Sequence, residues 1–141
     1  MSLPLTKTLL EQLAVFRLAE AEHLLSSGFF SGAYYLGGYA VELALKACIA
    51  DVFQLRTIPD KRFVTDIYTH NLRDLVRLAG LEEDRIARSE ADILFAEHWE
   101  IVRAWSESTR YHITDEPTAR ALMDALRNTD HGVFEWIRSY W

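Results

Sequence analysis

The sequence contains little cysteine, proline or glycine, with one, three and six of them in 141 residues. A single cysteine, Cys48, excludes a disulfide within the chain and favours a cytoplasmic protein over a disulfide-rich secreted one. No apolar run approaches the roughly 20 residues that span a bilayer. The N-terminal stretch MSLPLTKTLLEQ has neither the basic region nor the long apolar region of a signal peptide. We therefore expect a cytoplasmic protein without a membrane segment.

The chain also lacks an excess of positive charge. Fifteen Lys and Arg against 21 Asp and Glu give a net charge of −6, which argues against general electrostatic binding of nucleic acid. The charge is uneven, because residues 55–77 hold five basic and three acidic side chains whereas residues 78–101 hold two basic and seven acidic ones. A local basic patch is therefore compatible with the acidic total.

The hydrophobic pattern predicts an all-α fold in one domain over residues 1–141. Half of the residues are hydrophobic, and neither an alternating strand pattern nor a tandem repeat occurs. We expect an antiparallel four-helix up-and-down bundle with an additional short helix at His70–Ala79, which follows a polar connector at residues 55–69. The long helices are predicted at Pro4–Ser26, Ser31–Phe53, Glu82–Trp105 and from Thr114 nearly to the end of the chain.

The second predicted helix keeps two adjacent glycines, Gly37 and Gly38, in its interior, where each costs about 1 kcal/mol relative to alanine. Helical spacing places the first of them on a stripe of small side chains that allows close approach of another helix. That stripe is Ala33, Gly37, Ala40, Ala44 and Ala47. A neighbouring stripe, with an i,i+4 ion pair at its end, is Tyr35, Tyr39, Glu42 and Lys46. We interpret these stripes as packing surfaces of a bundle or a dimer.

Two groups of acids and histidines have incomplete metal-ligand patterns. Glu20 and His23 form one Glu-x-x-His unit, but the di-iron sites of helical bundles need a second copy. The run EHWE, residues 97–100, points its side chains in different directions from one helix. No dinucleotide or phosphate-loop motif occurs. We therefore predict no metal and no cofactor, and we expect His70 to cap or open the short helix.

Four segments, in order along the chain, resemble the HEPN (higher eukaryotes and prokaryotes nucleotide-binding) domain family. AYYLGGYAVELALKA, residues 33–47, is similar to its second-helix signature, in which small and aromatic residues lead into a Glu and, four residues later, a Lys. The other segments are THNLRDL (69–75), WSESTRY (105–111) and ALRNTDHGVFEWI (125–137). The resemblance implies a cytoplasmic prokaryotic helical bundle, often a homodimer. Many such domains are encoded beside a minimal nucleotidyltransferase, and some are toxins of toxin–antitoxin pairs.

In the nuclease branch of that family, an Arg and a His separated by four to six residues cleave RNA without metal. Arginine neutralises charge at the phosphate, and histidine moves the proton of the 2′-hydroxyl. This sequence departs from that spacing: eight residues separate Arg103 from His112, one separates Arg110 from His112, and the run RNTDHG, residues 127–132, has three. With Arg103 at the arginine position, the histidine position falls on a serine or threonine. From this departure in spacing we predict that the protein is not an active ribonuclease.

The connector RYHITDEP, residues 110–117, leads into a predicted helix N-terminus, where backbone amides can receive an anion. Arg103, Arg110 and His112 are therefore the candidate phosphate-binding residues, and the same three are the candidates for catalysis. The leading hypothesis is a dimeric domain that binds a nucleotide, an RNA or a partner protein such as the nucleotidyltransferase. Its groove or dimer contact would be packed by Tyr35, Tyr39, Glu42 and Lys46. The alternatives are a metal-independent, toxin-like ribonuclease and a purely structural dimeric interaction module.

Overall fold

The structure, a computed structural model, describes residues 4–141. Residues 1–3, where the stretch assessed for a signal peptide begins, lie outside the described part. Residues 4–141 form helices and connecting turns without any strand, which confirms the all-α prediction. The elements are α1 (Lys7–Ser26), α2 (Phe30–Ala50), α3 (Lys61–Asp66), α4 (Leu72–Leu78), α5 (Glu82–Ala91), α6 (Ile93–Arg103), a 3-10 helix (Glu107–Tyr111), α7 (Glu116–Arg127) and α8 (Val133–Arg138).

The two longest helices, α1 and α2, form a helical hairpin, and α2 is the centre of the core. Thr6 caps α1 by accepting a hydrogen bond from the backbone N–H of Leu9 at 3.1 Å. Gly28 ends the same helix with φ +84°, a left-handed conformation that favours glycine. The second helix contacts α1, α4, α7, α8 and the 3-10 helix. Along residues 4–141, no helix combines the length and the apolar character that crossing a bilayer requires.

The small-residue stripe of α2 is buried inside the chain. Its alanines are almost completely inaccessible to solvent. At Gly37, an added Cβ would lie 3.3 Å from Leu122 Cδ2 and 3.5 Å from Leu126 Cδ1, both on α7. The stripe therefore allows α7 to approach α2 closely within one chain. Cys48 lies on the same helix, and burial raises the pKa of its thiol to about 11, which keeps the thiol protonated.

Two of the long helices predicted from the sequence are interrupted, and the four-helix arrangement is not confirmed. The predicted helix Glu82–Trp105 breaks at Asp92, whose backbone is extended at φ −140° and ψ 99°. The Asp92 side chain then caps α6, because its Oδ1 accepts a hydrogen bond from the Phe95 N–H at 3.1 Å. An aspartate that accepts this bond favours the start of a new helix over continuation of the old one.

The predicted C-terminal helix breaks between Arg127 and Val133. Asn128 Oδ1 accepts hydrogen bonds from the backbone N–H groups of Asp130 and His131, at 3.2 and 2.9 Å, which closes a tight turn. The turn leaves no room for a side chain at Gly132, where an added Cβ would lie 2.5 Å from the Asn128 carbonyl oxygen. The interruption therefore follows from local turn chemistry together with close backbone packing.

The remaining boundaries differ by a few residues. The second helix ends at Ala50 instead of Phe53, and the polar connector at 55–69 contains the short α3. The prediction that His70 caps the short helix was wrong. Asn71 is the cap, and its side chain accepts a hydrogen bond from the Asp74 N–H at 3.1 Å. His70 is thereby left free to bind elsewhere.

Candidate functional site

A network of four ionisable side chains lies against the middle of α2. Glu42 is only 2% exposed, and its two oxygens accept hydrogen bonds from Lys46 Nζ at 3.3 Å and His70 Nδ1 at 2.9 Å. His70 Nε2 lies 3.2 Å from Glu107 Oε2 in the 3-10 helix. The i,i+4 pair expected from the sequence is therefore present, but its carboxylate is buried within the chain. The network ties the turn before α4 and the 3-10 helix to α2.

An aromatic cluster lies on α2 beside this network. The rings of Tyr35 and Tyr39 stack with centroids 6.3 Å apart and planes 9° apart, and Tyr35 lies 6.1 Å from Trp105. The Trp105 indole occupies the space over Gly38, where an added Cβ would lie 2.2 Å from three indole atoms. The second glycine of the pair therefore provides room for the indole, and Trp105 directly precedes the segment that carries the 3-10 helix.

The 3-10 helix places a guanidinium group next to two tyrosines. Arg110 Cζ lies 4.9 Å from the centroid of the Tyr111 ring. The hydroxyl of Tyr111, and to a smaller extent that of Tyr35, raises the pKa of Arg110 above its ordinary value. Tyr111 is 77% exposed to solvent. A guanidinium group stacked over a largely exposed aromatic ring is thus presented at the surface.

Of the three residues predicted to contact phosphate, the structure brings only Arg110 to the aromatic cluster. His112 is exposed, and its side chain makes no hydrogen bond or ion pair with any of residues 4–141. A catalytic base is usually oriented by a third group, and His112 has none among those residues. Arg103 pairs with Glu100 and lines a separate cleft.

The helix N-terminus that follows this connector is already occupied by negative charge. Asp115 caps α7 by accepting a hydrogen bond from the Thr118 N–H at 2.9 Å. The hydroxyl and the N–H of Thr118 hold the pKa of Asp115 below its ordinary value, and Glu116 adds a second acid to the first turn. The backbone amides at this end therefore serve the cap, and we do not place an anion there.

A second polar cluster, which the sequence analysis missed, joins the two helix interruptions and is named here the Asp92 cluster. Asp92 Oδ2 accepts hydrogen bonds from His131 Nδ1 at 2.7 Å and Arg88 Nε at 3.2 Å. Arg88 Nη2 also donates to the Asp130 carbonyl at 2.6 Å, and His98 Nδ1 donates to the His131 carbonyl at 2.7 Å. The cluster therefore fastens the α5–α6 junction to the α7–α8 turn.

The run RNTDHG does not form an arginine–histidine pair within this arrangement. Arg127 forms ion pairs with Glu22 and Glu135, whereas His131 binds Asp92. After Arg127, the last residue of α7, the run lies in the turn between two helices, not inside one continuous helix as predicted from the sequence. The run therefore resembles the nuclease motif in sequence only, because its arginine and histidine bind different partners.

The Asp92 cluster predicts a specific pH dependence of stability. The hydrogen bond from His131, with those from Phe95 and Arg88, holds the pKa of Asp92 at about 2, below the ordinary value of about 3.9. Because the folded pKa is depressed, the stabilisation is present above about pH 4 and is lost as the pH falls toward 2. We expect Asp92→Asn to be less stable than the wild type at neutral pH and to lose less stability between pH 4 and 2.

Urea unfolding followed by circular dichroism at several pH values between 2 and 7 measures this effect. Asp124→Asn is the matched control, because Asp124 is exposed on α7 and its carboxylate has no ion-pair partner in the part of the chain that the structure describes. Its pH dependence should follow that of the wild type. If Asp92→Asn and the wild type lost stability in parallel below pH 4, the assigned role of Asp92 would be wrong.

The acid and histidine patterns noted in the sequence are engaged in other contacts. Glu20 pairs with Arg17, Glu100 pairs with Arg103, and His98 donates to a backbone carbonyl. Within residues 4–141, no group of three or more His, Cys, Asp and Glu side chains is placed to hold a metal ion. The groups that the 3-10 helix exposes to a ligand are the Arg110 cation and the Tyr111 ring.

Comparison with protein-family models finds that the model described as HEPN domain matches residues 7–140. The matched range runs from the first residue of α1 to beyond α8 and includes both the Glu42 network and the aromatic cluster. Searches of the curated proteins and of the solved structures found no match. The family assignment thus rests on a match along nearly the whole chain.

Proposed function

Because the chain belongs to the HEPN domain family, we propose that it binds a nucleotide or single-stranded RNA through one surface of the 3-10 helix and α2. Membership supports a nucleotide- or RNA-related function in general terms. The observation that carries the choice of surface is the Arg110 guanidinium over the exposed Tyr111 ring. We call this the Tyr–Arg surface, and its residues are Tyr35, Tyr39, Arg110 and Tyr111.

The chemistry of the Tyr–Arg surface suits unpaired bases. Bases stack on tyrosine rings and on arginine guanidinium planes, and such stacking tolerates different sequences. The chain as a whole carries a net charge of −6, so long-range attraction of a polyanion does not drive binding. The ligand is therefore a short unpaired segment or a nucleotide, held by stacking and by a cation or two, with weak dependence on salt.

Binding without cleavage is the proposal that fits the residues. Metal-independent cleavage needs an arginine at the phosphate and a base at the 2′-hydroxyl. Arg110 and His112 are separated by one residue, and no side chain of residues 4–141 forms a hydrogen bond that orients the imidazole. Dimerisation and a nucleotidyltransferase partner remain parts of the hypothesis, and Glu42 and Lys46 support the surface from within the chain. A ribonuclease and a purely structural module are outcomes of the test below.

The test is fluorescence anisotropy with an end-labelled single-stranded RNA in EDTA, comparing the wild type with Tyr111→Ala. Stacking of one base contributes about 1–3 kcal/mol, so we expect the variant to bind roughly 5- to 150-fold more weakly. Arg110→Ala should also weaken binding. Because it removes about one phosphate contact, the slope of log K against the logarithm of the salt concentration should become less negative by about 0.7.

Arg120→Ala is the matched control, because Arg120 is an exposed arginine that pairs with Glu116 on α7 and is not one of the residues of the Tyr–Arg surface. It should bind RNA like the wild type. We expect the RNA to remain intact after incubation. If the wild type cleaved the RNA and both Arg110→Ala and His112→Ala abolished the cleavage, the protein would be a ribonuclease. Binding that is absent, or that Tyr111→Ala leaves unchanged, would exclude the Tyr–Arg surface and favour the structural module.

A further inference from the structure

Three arginines from three helices meet in a small cleft on another part of the surface. The cleft has a volume of about 130 Å³ and lies between α4, the start of α5 and the end of α6. We call it the arginine cleft, and its lining residues are Arg73, Glu82, Arg85, Trp99, Glu100 and Arg103. Three positive and two negative side chains leave it one positive charge in a chain whose net charge is −6.

Arg85 lines this cleft and is held in place by two neighbouring side chains. Its Nε and Nη2 donate to the two oxygens of Glu82 at 3.1 and 2.9 Å, and its guanidinium lies 5.4 Å from the centroid of the Trp99 ring. Arg85 holds the pKa of Glu82 below its ordinary value, so Glu82 stays ionised and keeps the arginine in place. A donor that is fixed before binding loses little conformational freedom when a ligand arrives.

The other two arginines have donors to spare. Arg103 pairs with Glu100 through its Nε, which leaves its terminal amino groups without a partner among residues 4–141. Arg73 has no carboxylate within 4.0 Å in the same part of the chain, although its charge also contributes to lowering the pKa of Glu82. The carboxylates thus orient two guanidinium groups, while the third supplies positive charge that the cleft does not balance.

From this arrangement we infer that the arginine cleft binds a phosphate group whose charge is not reduced by a second ester bond. The ligand is either free phosphate or the terminal phosphate of a nucleotide or RNA. Planar guanidinium forks match the oxygens of a tetrahedral phosphate. The volume corresponds to about four water molecules at roughly 30 Å³ each, which admits a phosphate but not a nucleoside. The nucleoside part of a larger ligand would therefore lie outside the cleft. The inference is independent of the Tyr–Arg surface.

Isothermal titration calorimetry of the full chain with inorganic phosphate and with AMP tests the inference directly. Adenosine is the control ligand without a phosphate. We expect phosphate to bind at the cleft, AMP to compete with it there and adenosine not to compete, and Arg73→Ala or Arg103→Ala to weaken phosphate binding about tenfold or more. Arg85→Lys keeps the charge but removes the fork, and we expect it to weaken binding as well.

Two control variants separate this inference from the proposed function. Arg120→Ala and Tyr111→Ala should both bind phosphate like the wild type, because neither residue lines the cleft. If the wild type did not bind phosphate, or if Arg73→Ala and Arg103→Ala both bound phosphate normally, the assignment would be overturned. RNA with a 5′-phosphate is then compared with the same RNA carrying a 5′-hydroxyl. Tighter binding of the phosphorylated form that is lost in Arg73→Ala identifies the RNA end as the source of the phosphate.

Discussion

Replacement of Gly38 by alanine is expected to destabilise the protein by about 3 kcal/mol, near the upper end of the usual cost of overpacking. A Cβ at this position would lie 2.2 Å from three atoms of the buried Trp105 indole. The ring is rigid and almost fully covered, so α2 or the segment after α6 has to move. For a chain of this size, the loss corresponds to a decrease in Tm of roughly 10 °C. Thermal unfolding followed by circular dichroism measures it.

The adjacent glycine provides the matched control. A Cβ at Gly37 would first meet the end of the Leu122 side chain, at 3.3 Å, which can shift by a few tenths of an ångström. Alanine also gains up to about 1 kcal/mol of helix propensity over glycine. We therefore expect Gly37→Ala to stay within about 1 kcal/mol of the wild type. Equal losses in both variants would show that helix packing in general, and not the indole, requires the glycine pair.

A double substitution separates the indole from other causes. In a background of Trp105→Leu the obstructing ring is absent, so Gly38→Ala should cost far less than it does in the wild type. Because Trp105 directly precedes the segment that carries Arg110 and Tyr111, Gly38→Ala should also weaken RNA binding. A full cost that persists without the ring would contradict the assignment of Gly38 to the indole.

Local signals predicted the helical content and several helix ends, but not the interruptions. The α1–α2 hairpin follows from Gly28 and from the hydrophobic pattern, and the start of α7 from a capping aspartate before a proline. Asp92 also precedes an apolar run and could have been read as a cap. Its decisive partners, Arg88 in the preceding helix and His131 39 residues away, are brought together by the fold. A helix pattern read along the chain cannot show such a contact.

The candidate site shows the same limit. The sequence indicated that Tyr35 and Tyr39 share a face of α2, because helical spacing fixes that relation. It grouped Arg103 with Arg110 because they are near in sequence, whereas the structure places Arg103 in the arginine cleft and Arg110 on the Tyr–Arg surface. Arg103 is the last residue of α6, and Arg110 follows the turn after it. The two arginines therefore contact different neighbours, which the sequence does not show.

Loss of the buried Glu42 carboxylate is expected to destabilise the protein by about 2–3 kcal/mol. Glu42→Ala removes the acceptor of two hydrogen bonds, from Lys46 and His70, and bonds to charged groups contribute about 1.5–3 kcal/mol each. Removing one partner of a buried ion pair costs up to about 5 kcal/mol. We expect a loss of about 2–3 kcal/mol, below the loss of about 5 kcal/mol, because 45% of the His70 side chain is exposed and can be hydrated after the change. Urea unfolding at neutral pH measures the loss.

Comparison with an exposed glutamate shows whether burial is the cause. Glu20 pairs with Arg17 on the outer face of α1, and exposed pairs contribute at most about 1 kcal/mol, so Glu20→Ala should cost less than Glu42→Ala. Glu42→Gln keeps the shape and one acceptor, and its stability should lie between the wild type and Glu42→Ala. If Glu42→Ala were no more destabilising than Glu20→Ala, the network would contribute little to the fold.

A double-mutant cycle between Glu42 and His70 decides whether the network positions the 3-10 helix. His70 reaches both Glu42 and Glu107, so His70→Ala should cost less once Glu42 is already alanine, and the two losses should not add. The single variant His70→Ala should also weaken RNA binding, because it releases the 3-10 helix that carries Arg110 and Tyr111. Additive stability losses with unchanged RNA affinity would separate the network from the Tyr–Arg surface and leave it a role in folding alone.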